Sequence, residues 1–264
     1  MSEAWDIHGL QQSPIHGDLA AMIRAQRWQD WPCDQQLNAL LVSDARTLSG
    51  RRLHFVAQPD AGYDGAAAYE KHIDASGEIP IRPRSWHDLF NALMWILYPA
   101  TKTALNAVHI TELAGGQRNR TARRDAVTLL DECGVLLAVS DERLTRLHAA
   151  HRWDAFFCEE RTAWGEKIQP LIIGHGLYEQ CLTPYVGLTA KALHLPIPAT
   201  WFSLSQSKRR HQVDTMLAEK IVANEAVMST RELLPLPVLG VPGWWPANRE
   251  SKFYANQRYF RKKH

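Results

Sequence analysis

The chain has 264 residues, 45% of them hydrophobic and 22% charged, a mix that excludes both a stapled mini-protein and extensive intrinsic disorder. Thirty Lys and Arg against 28 Asp and Glu leave a formal charge of +2, which excludes a histone-like binder but not a local basic patch. Ten Trp are the compositional excess, and they suit a core or a pocket wall equally.

Residues 1–50 read as short helices broken by Pro and Gly. Residues 52–57 read as a strand, closed by Gln58-Pro59-Asp60. Residues 69–73 read as a short helix ending near Gly77. Residues 79–84 must be extended, because a residue before Pro avoids the helical region. Ser85 then caps a helix whose third residue is Asp88, a variant of the capping box. This helix runs to Tyr98, and Pro99 ends it. It is apolar nearly all round, at Leu89, Phe90, Leu93, Met94, Ile96 and Leu97, which predicts a central position. A second helix covers about 101–113 and stops at Gly115-Gly116. A third starts near Thr121 and ends at Gly134, read as a C′ glycine. Strands are predicted over 135–139, 155–158 and 168–173, with a helix over 141–150. Gly174-His175-Gly176 then turns into a helix over 177–182. Val213, Met216, Leu217 and Ile221 show the spacing of an amphipathic helix. Residues 234–264 are rich in Pro, Gly and Trp and too apolar for a free tail, so they should wrap over the core. The prediction is an α+β fold, predominantly helical, with a small sheet. It takes residues 1–264 as a single domain, with a helical segment 1–50, a core 51–233 and an extended C-terminal segment 234–264.

Cys33, Cys133, Cys158 and Cys181 are scattered, which suggests neither a zinc ribbon nor a disulfide framework. The N-terminus lacks a basic stretch followed by an apolar one, and no apolar run reaches the roughly 20 residues of a membrane span. The expectation is a cytoplasmic protein with no membrane partner and an oligomeric state left open.

Several strings are specific enough to suggest kinship. They are Ile79-Pro80; His87-Asp88-Leu89-Phe90-Asn91-Ala92-Leu93 with Trp95; Lys102 with Leu105-Asn106; and Arg124-Asp125-Ala126 with Asp131-Glu132 and Gly134. Gly174-His175, Leu177 and Glu179 continue the series, as does the stretch from Leu236 to Trp244. On these strings the chain resembles a bacterial family known as domain of unknown function 3025, over roughly residues 50–260. The resemblance implies no activity, so chemistry rests on the residues.

His87 and Asn91, four apart, share one face of the first helix. Lys102, Asn106 and His109 form a stripe on the second, which is either a solvated face or a wall facing the His87 stripe across a tight helical hairpin. The third helix offers Asp125, Thr128 and Glu132 on one stripe, with Arg124 and Asp131 beside it. Asp125 suits a helix start, whereas Glu132 opposes the dipole of its helix end and needs an Arg, a His or a metal as partner. His175 sits where a strand hands over to a helix, a usual place for sites, and Glu179 lies one turn on. The catalytic candidates are thus His175, His87, Glu132 and Asp125, and the substrate-binding candidates Arg124, Asn91, Lys102 and Asn106. No tight metal motif and no nucleotide-cofactor motif is visible. If a divalent metal binds, its ligands come from His87, His109, Glu132, His175 and Glu179. His87, Glu132 and His175 each need a polar partner, so they should share one cavity within about 10 Å.

The run Arg118, Arg120, Arg123 and Arg124 enters a helix from a Gly-led loop and suits an anion. Basic clusters at 208–211 and 258–264, the latter interleaved with Tyr254, Tyr259 and Phe260, suit nucleic acid. Three functions follow. One is a hydrolase-like enzyme, by acid–base or metal-assisted chemistry, on a small anionic or phosphorylated metabolite. The second is a nucleic-acid-associated protein using the Arg118–Arg124 loop and the basic C-terminus. The third is a non-catalytic scaffold.

Overall fold

The computed structural model describes residues 3–41, 44–59, 61–115 and 120–263. Helix exceeds strand by 54% to 13%, so the fold is α+β and predominantly helical. Three short helices open the chain, α1 (Ile7–Gln12), α2 (Gly17–Gln26) and α3 (Asp34–Asn38). Strand β1 (His54–Ala57), helix α4 (Gly65–Ser76) and β2 (Glu78–Ile81) follow, and β1 pairs with β2 in parallel. Gly77 ends α4 at φ 81°, and a Cβ there would stand 2.2 Å from the Arg52 carbonyl oxygen, so only Gly fits.

The helical block comprises α5 (Trp86–Leu97), α6 (Pro99–Ala114) and α7 (Ala122–Cys133). The Ser85 hydroxyl caps α5 by accepting from the Asp88 N–H at 3.3 Å. Asp88 does not complete a capping box. Its carboxylate accepts instead from the Arg82 backbone N–H at 2.7 Å and from the Arg82 guanidinium at 2.6–3.2 Å. Leu89, Phe90, Leu93 and Met94 are at most 3% exposed, so α5 is central. Pro99 opens α6 rather than merely ending α5, because its missing N–H costs nothing in a first turn. The next free N–H groups, of Ala100 and Thr101, donate to the Asp214 carboxylate at 3.1 and 2.7 Å.

Strand β3 (Gly134–Val139), helix α8 (Glu142–Ala149), β4 (Ile168–Ile172), α9 (His175–Gln180), β5 (Thr189–Pro196), α10 (Gln206–Val222) and β6 (Leu234–Pro237) complete the fold. The sheet order is β4-β3-β5-β6. Within this four-stranded sheet only the β3–β5 pair is parallel. Every residue of β3 is buried, as a central strand covered on both faces must be.

Two local expectations fail, and one strand goes unpredicted, for physical reasons. Residues 155–158 are not a strand but part of a π-helical turn, Ala155–Glu159, which turns Phe156 and Phe157 inward together; a strand would expose one of them. Gly134 is extended, at φ −76° and ψ 139°, and not a left-handed cap. Strand β5 escapes the pattern because Lys191 and His194 interrupt its apolar run.

Both ends pack. Trp5 stacks on Trp86 with centroids 5.2 Å apart, and Trp31 abuts both rings. His16 is fully buried beside Phe90 and Tyr178; its Nε2–H donates to the Tyr178 carbonyl at 2.8 Å, so its Nδ1 accepts from Ser13. At the other end buried Asn248 donates to the carbonyls of Leu239 and Val241, and the Tyr259 hydroxyl donates to that of Leu188. Among the described residues no helix is long and apolar enough to cross a membrane.

Candidate metal centre

Two chain junctions build the site. The α7–β3 junction at Gly134 lies beside the β4–α9 junction at Gly174, and the Gly174 N–H donates to the Gly134 carbonyl at 2.9 Å. A Cβ on Gly174 would come within 2.4 Å of the Gly134 nitrogen, and one on Gly176 within 2.5 Å of Glu132 Oε2. The two glycines around His175 therefore let the start of α9 press against the end of α7. That contact sets His175, the first residue of α9, against Glu132, the penultimate residue of α7. Helix α5 packs on α9 and adds His87 from its first turn.

The three side chains converge. His175 Nε2 lies 3.2 Å from His87 Nε2 and 3.6 Å from Glu132 Oε1. One ligand atom from each falls within 4.8 Å of the other two. The remaining ring nitrogens face carboxylates. His87 Nδ1–H donates to Glu179 at 2.7 Å, whereas His175 Nδ1, 3.8 Å from Asp131 Oδ2, is buried without a hydrogen-bond partner. Beneath them Lys102 is 3% exposed, donates to Asp131 at 2.5 Å and to Asn91 at 2.9 Å, and lies 5.2 Å from the Trp95 ring centroid. Asn91 donates in turn to the Tyr69 hydroxyl at 3.2 Å.

Burial lowers the His175 pKa to about 4, so the ring is neutral at physiological pH and one of its nitrogens carries a lone pair. Burial also acts to raise the Asp131 carboxyl, but Lys102 and His175 outweigh it and hold Asp131 below the usual carboxylate range. Glu132 is raised, chiefly by burial. The three side chains line a cavity of 240 Å³ whose other walls include Tyr69, Glu70, Arg82, His109 and Thr128.

His87, Asn91, Lys102, Glu132 and His175 thus come together as a group. Asn106 is buried just behind the cavity and donates to Glu70 at 2.6 Å, while His109 lines its wall. The stripe Lys102, Asn106 and His109 is therefore internal and not a solvated face. Other candidates fall elsewhere. Asp125 is exposed at the start of α7, paired with Arg120 at 2.7 Å. Arg124 is half-buried and does not line the cavity. His109 and Glu179 lie outside the converging trio, and Glu179 holds His87 instead. Arg118 lies outside the described residues. The guanidinium of Arg123 is spent on the Ile221 carbonyl at 2.8 Å. Tyr254, Tyr259 and Phe260 are at most 6% exposed, packed in the core and unable to stack on bases.

Sequence reading missed Asp131, Tyr69 and Glu70 as parts of the site. Asp131 adjoins Glu132, yet consecutive helical residues point about 100° apart, so only a neighbouring helix could bring both to one centre. Tyr69 and Glu70 carry no signal beyond sitting in a helix.

A family model described as "Protein of unknown function (DUF3025)" matches residues 53–264. The chain belongs to this family. No curated protein and no solved structure matches the chain. Every residue of the converging group lies within the DUF3025 stretch, whereas α1, α2 and α3 precede it.

Proposed function

We propose that the chain is a metal-assisted hydrolase of small polar molecules, with one divalent ion held by His87, Glu132 and His175. The spacing of the ligand atoms carries the reading. Donors bound at about 2.0–2.2 Å to one ion lie roughly 3–3.5 Å apart, and the two contacts of His175 are 3.2 and 3.6 Å. The Glu132 side chain is 43% exposed, free to swing the remaining distance. The carboxylate behind His87 strengthens the case, because metal-bound His commonly gives its other N–H to such a group. Two imidazoles and one carboxylate suit zinc, manganese or iron, and three protein ligands leave at least one position for water or substrate.

The ion would supply Lewis acidity at the cavity wall. The protein's own part is positional: Glu179 orients the His87 imidazole, Gly174 and Gly176 seat His175 against Glu132, and Lys102 keeps Asp131 ionised beside His175. Without an ion the same atoms would form a Glu179–His87–His175 hydrogen-bond chain suited to acid–base work.

Metal analysis decides between them. Protein purified without chelator should carry about one equivalent of a transition metal. His175→Ala and His87→Ala should stay folded and bind added zinc at least 100-fold more weakly by calorimetry. A wild-type protein that neither carries metal nor binds zinc would overturn the proposal in favour of the metal-free chain.

A further inference from the structure

Charge matching around the cavity leaves one acid over. The Arg82 guanidinium is taken by Asp88, and Asp131 by Lys102. Glu132 faces His175 and, on the reading above, the ion. Glu70 takes part in no ion pair among the described residues, and the polar side chain that serves it is Asn106, donating at 2.6 Å. Lys102 and Arg124 act on it only from beyond ion-pair range, and burial outweighs them, holding its pKa at about 7. An unmatched carboxylate in a half-buried wall costs stability unless something brings it a positive partner.

A second observation points the same way. His109, on the same cavity, is 6% exposed, and its Nδ1 is buried with no hydrogen-bond partner. Burial holds this ring's pKa at about 4, so it is neutral and offers one lone pair beside one N–H. Buried polar atoms are nearly always paired, and each exception needs an explanation. A carboxylate without a cation and a neutral imidazole on one cavity both suit a guest that donates.

We propose that Glu70 and His109 form a subsite for a cationic nitrogen, a primary ammonium, on the molecule that enters the cavity. Three N–H donors on one nitrogen can serve both the Glu70 carboxylate and the lone pair of the His109 ring. A carboxylate or phosphate at this wall would face Glu70 and an acceptor instead. At 240 Å³ the cavity is smaller than the roughly 300–1,000 Å³ of drug-sized sites, so the guest is a small amine. This inference rests on the metal-centre reading for the far end of the guest, which would carry a metal-seeking oxygen, but not for the ammonium itself.

Two arms test it separately. In the first, chelator-treated protein is titrated with propylammonium, propionate and propanol and followed by ligand-observed NMR. Only propylammonium should saturate, and Glu70→Gln should weaken it at least tenfold. Equal binding of propionate in the wild type overturns the proposal even if the variant fails to fold. In the second, zinc-loaded protein is titrated with propanohydroxamate and 3-aminopropanohydroxamate. The amine should improve affinity at least tenfold, and Glu70→Gln should erase that gain while leaving propanohydroxamate unchanged. Equal affinities would sink the ammonium subsite and leave the metal centre standing. Binding of propylammonium with no binding of either hydroxamate would sink the metal centre and leave the subsite standing.

Discussion

At Gly176 the missing side chain is what shapes the centre. A Cβ there meets Glu132 Oε2 at 2.5 Å, an atom at the end of a movable chain, and the Glu132 carbonyl oxygen at 3.1 Å. Gly176→Ala should therefore displace the carboxylate more than the backbone. We expect a stability loss of about 1–2 kcal/mol with zinc affinity down at least tenfold; unchanged affinity by calorimetry would show that Glu132 is not a ligand. Gly174 is different, because its Cβ would meet three backbone atoms within 2.7 Å. Lys102 makes the opposite point about charge. With its side chain 4% exposed and paired to Asp131, its removal strands a buried carboxylate. Lys102→Met should cost about 3–5 kcal/mol in denaturant unfolding, and adding Asp131→Asn should recover part of that. A single variant as stable as the wild type would mean that the pair is not formed.

At the scale of elements, α5 unites core and site on one helix. Its inward face carries Leu93 at 0% exposure, and its first turn carries His87. Leu93→Ala should lower stability by about 2–5 kcal/mol, read from chemical denaturation, and a loss under 1 kcal/mol would make the helix peripheral. This helix could be read from sequence because its cap, its apolar surround and its proline stop agree. The convergence of His87, Glu132 and His175 could be anticipated because each residue has a local reason to seek a polar partner. Strand β5 could not, since an alternation broken by Lys191 and His194 becomes a strand only when β3 and β6 flank it. Glu70 and Asp131 could not either. Their importance comes from the packing of α4, α6 and α7, which no local pattern records.

The whole molecule holds several histidines away from protons. His148 donates from Nε2 to the Pro235 carbonyl at 3.1 Å, so in the neutral ring its Nδ1 accepts from His194 at 2.9 Å. Burial lowers His148 to about 3 and His109, His175 and His194 to about 4, against 6.5 for a free imidazole. On acidification the unfolded chain takes up these protons first. Their contribution to stability is complete above pH 6.5 and drains away towards pH 4. Glu70, held at about 7, and Glu132 and Asp214, raised by burial, work the other way, while His16 and His151, lowered by burial, side with these four. Chelator-treated protein should unfold a few degrees lower at pH 5 than at pH 7 in calorimetry; an equal or higher midpoint would mean these rings are not shielded. The packing of the first thirty-odd residues has a consequence for dissecting the protein. Trp5 and Trp31 cover Trp86, and His16 ties the chain to Tyr178 of α9. The stretch shared with the family begins at residue 53, so likeness among sequences and self-sufficiency in folding part company here. A fragment starting at residue 53 would carry all three proposed ligands, yet lay bare the rings of Trp86, Phe90 and Tyr178. It should bind a hydrophobic dye and precipitate, and the missing N-terminal peptide added in trans should restore its solubility.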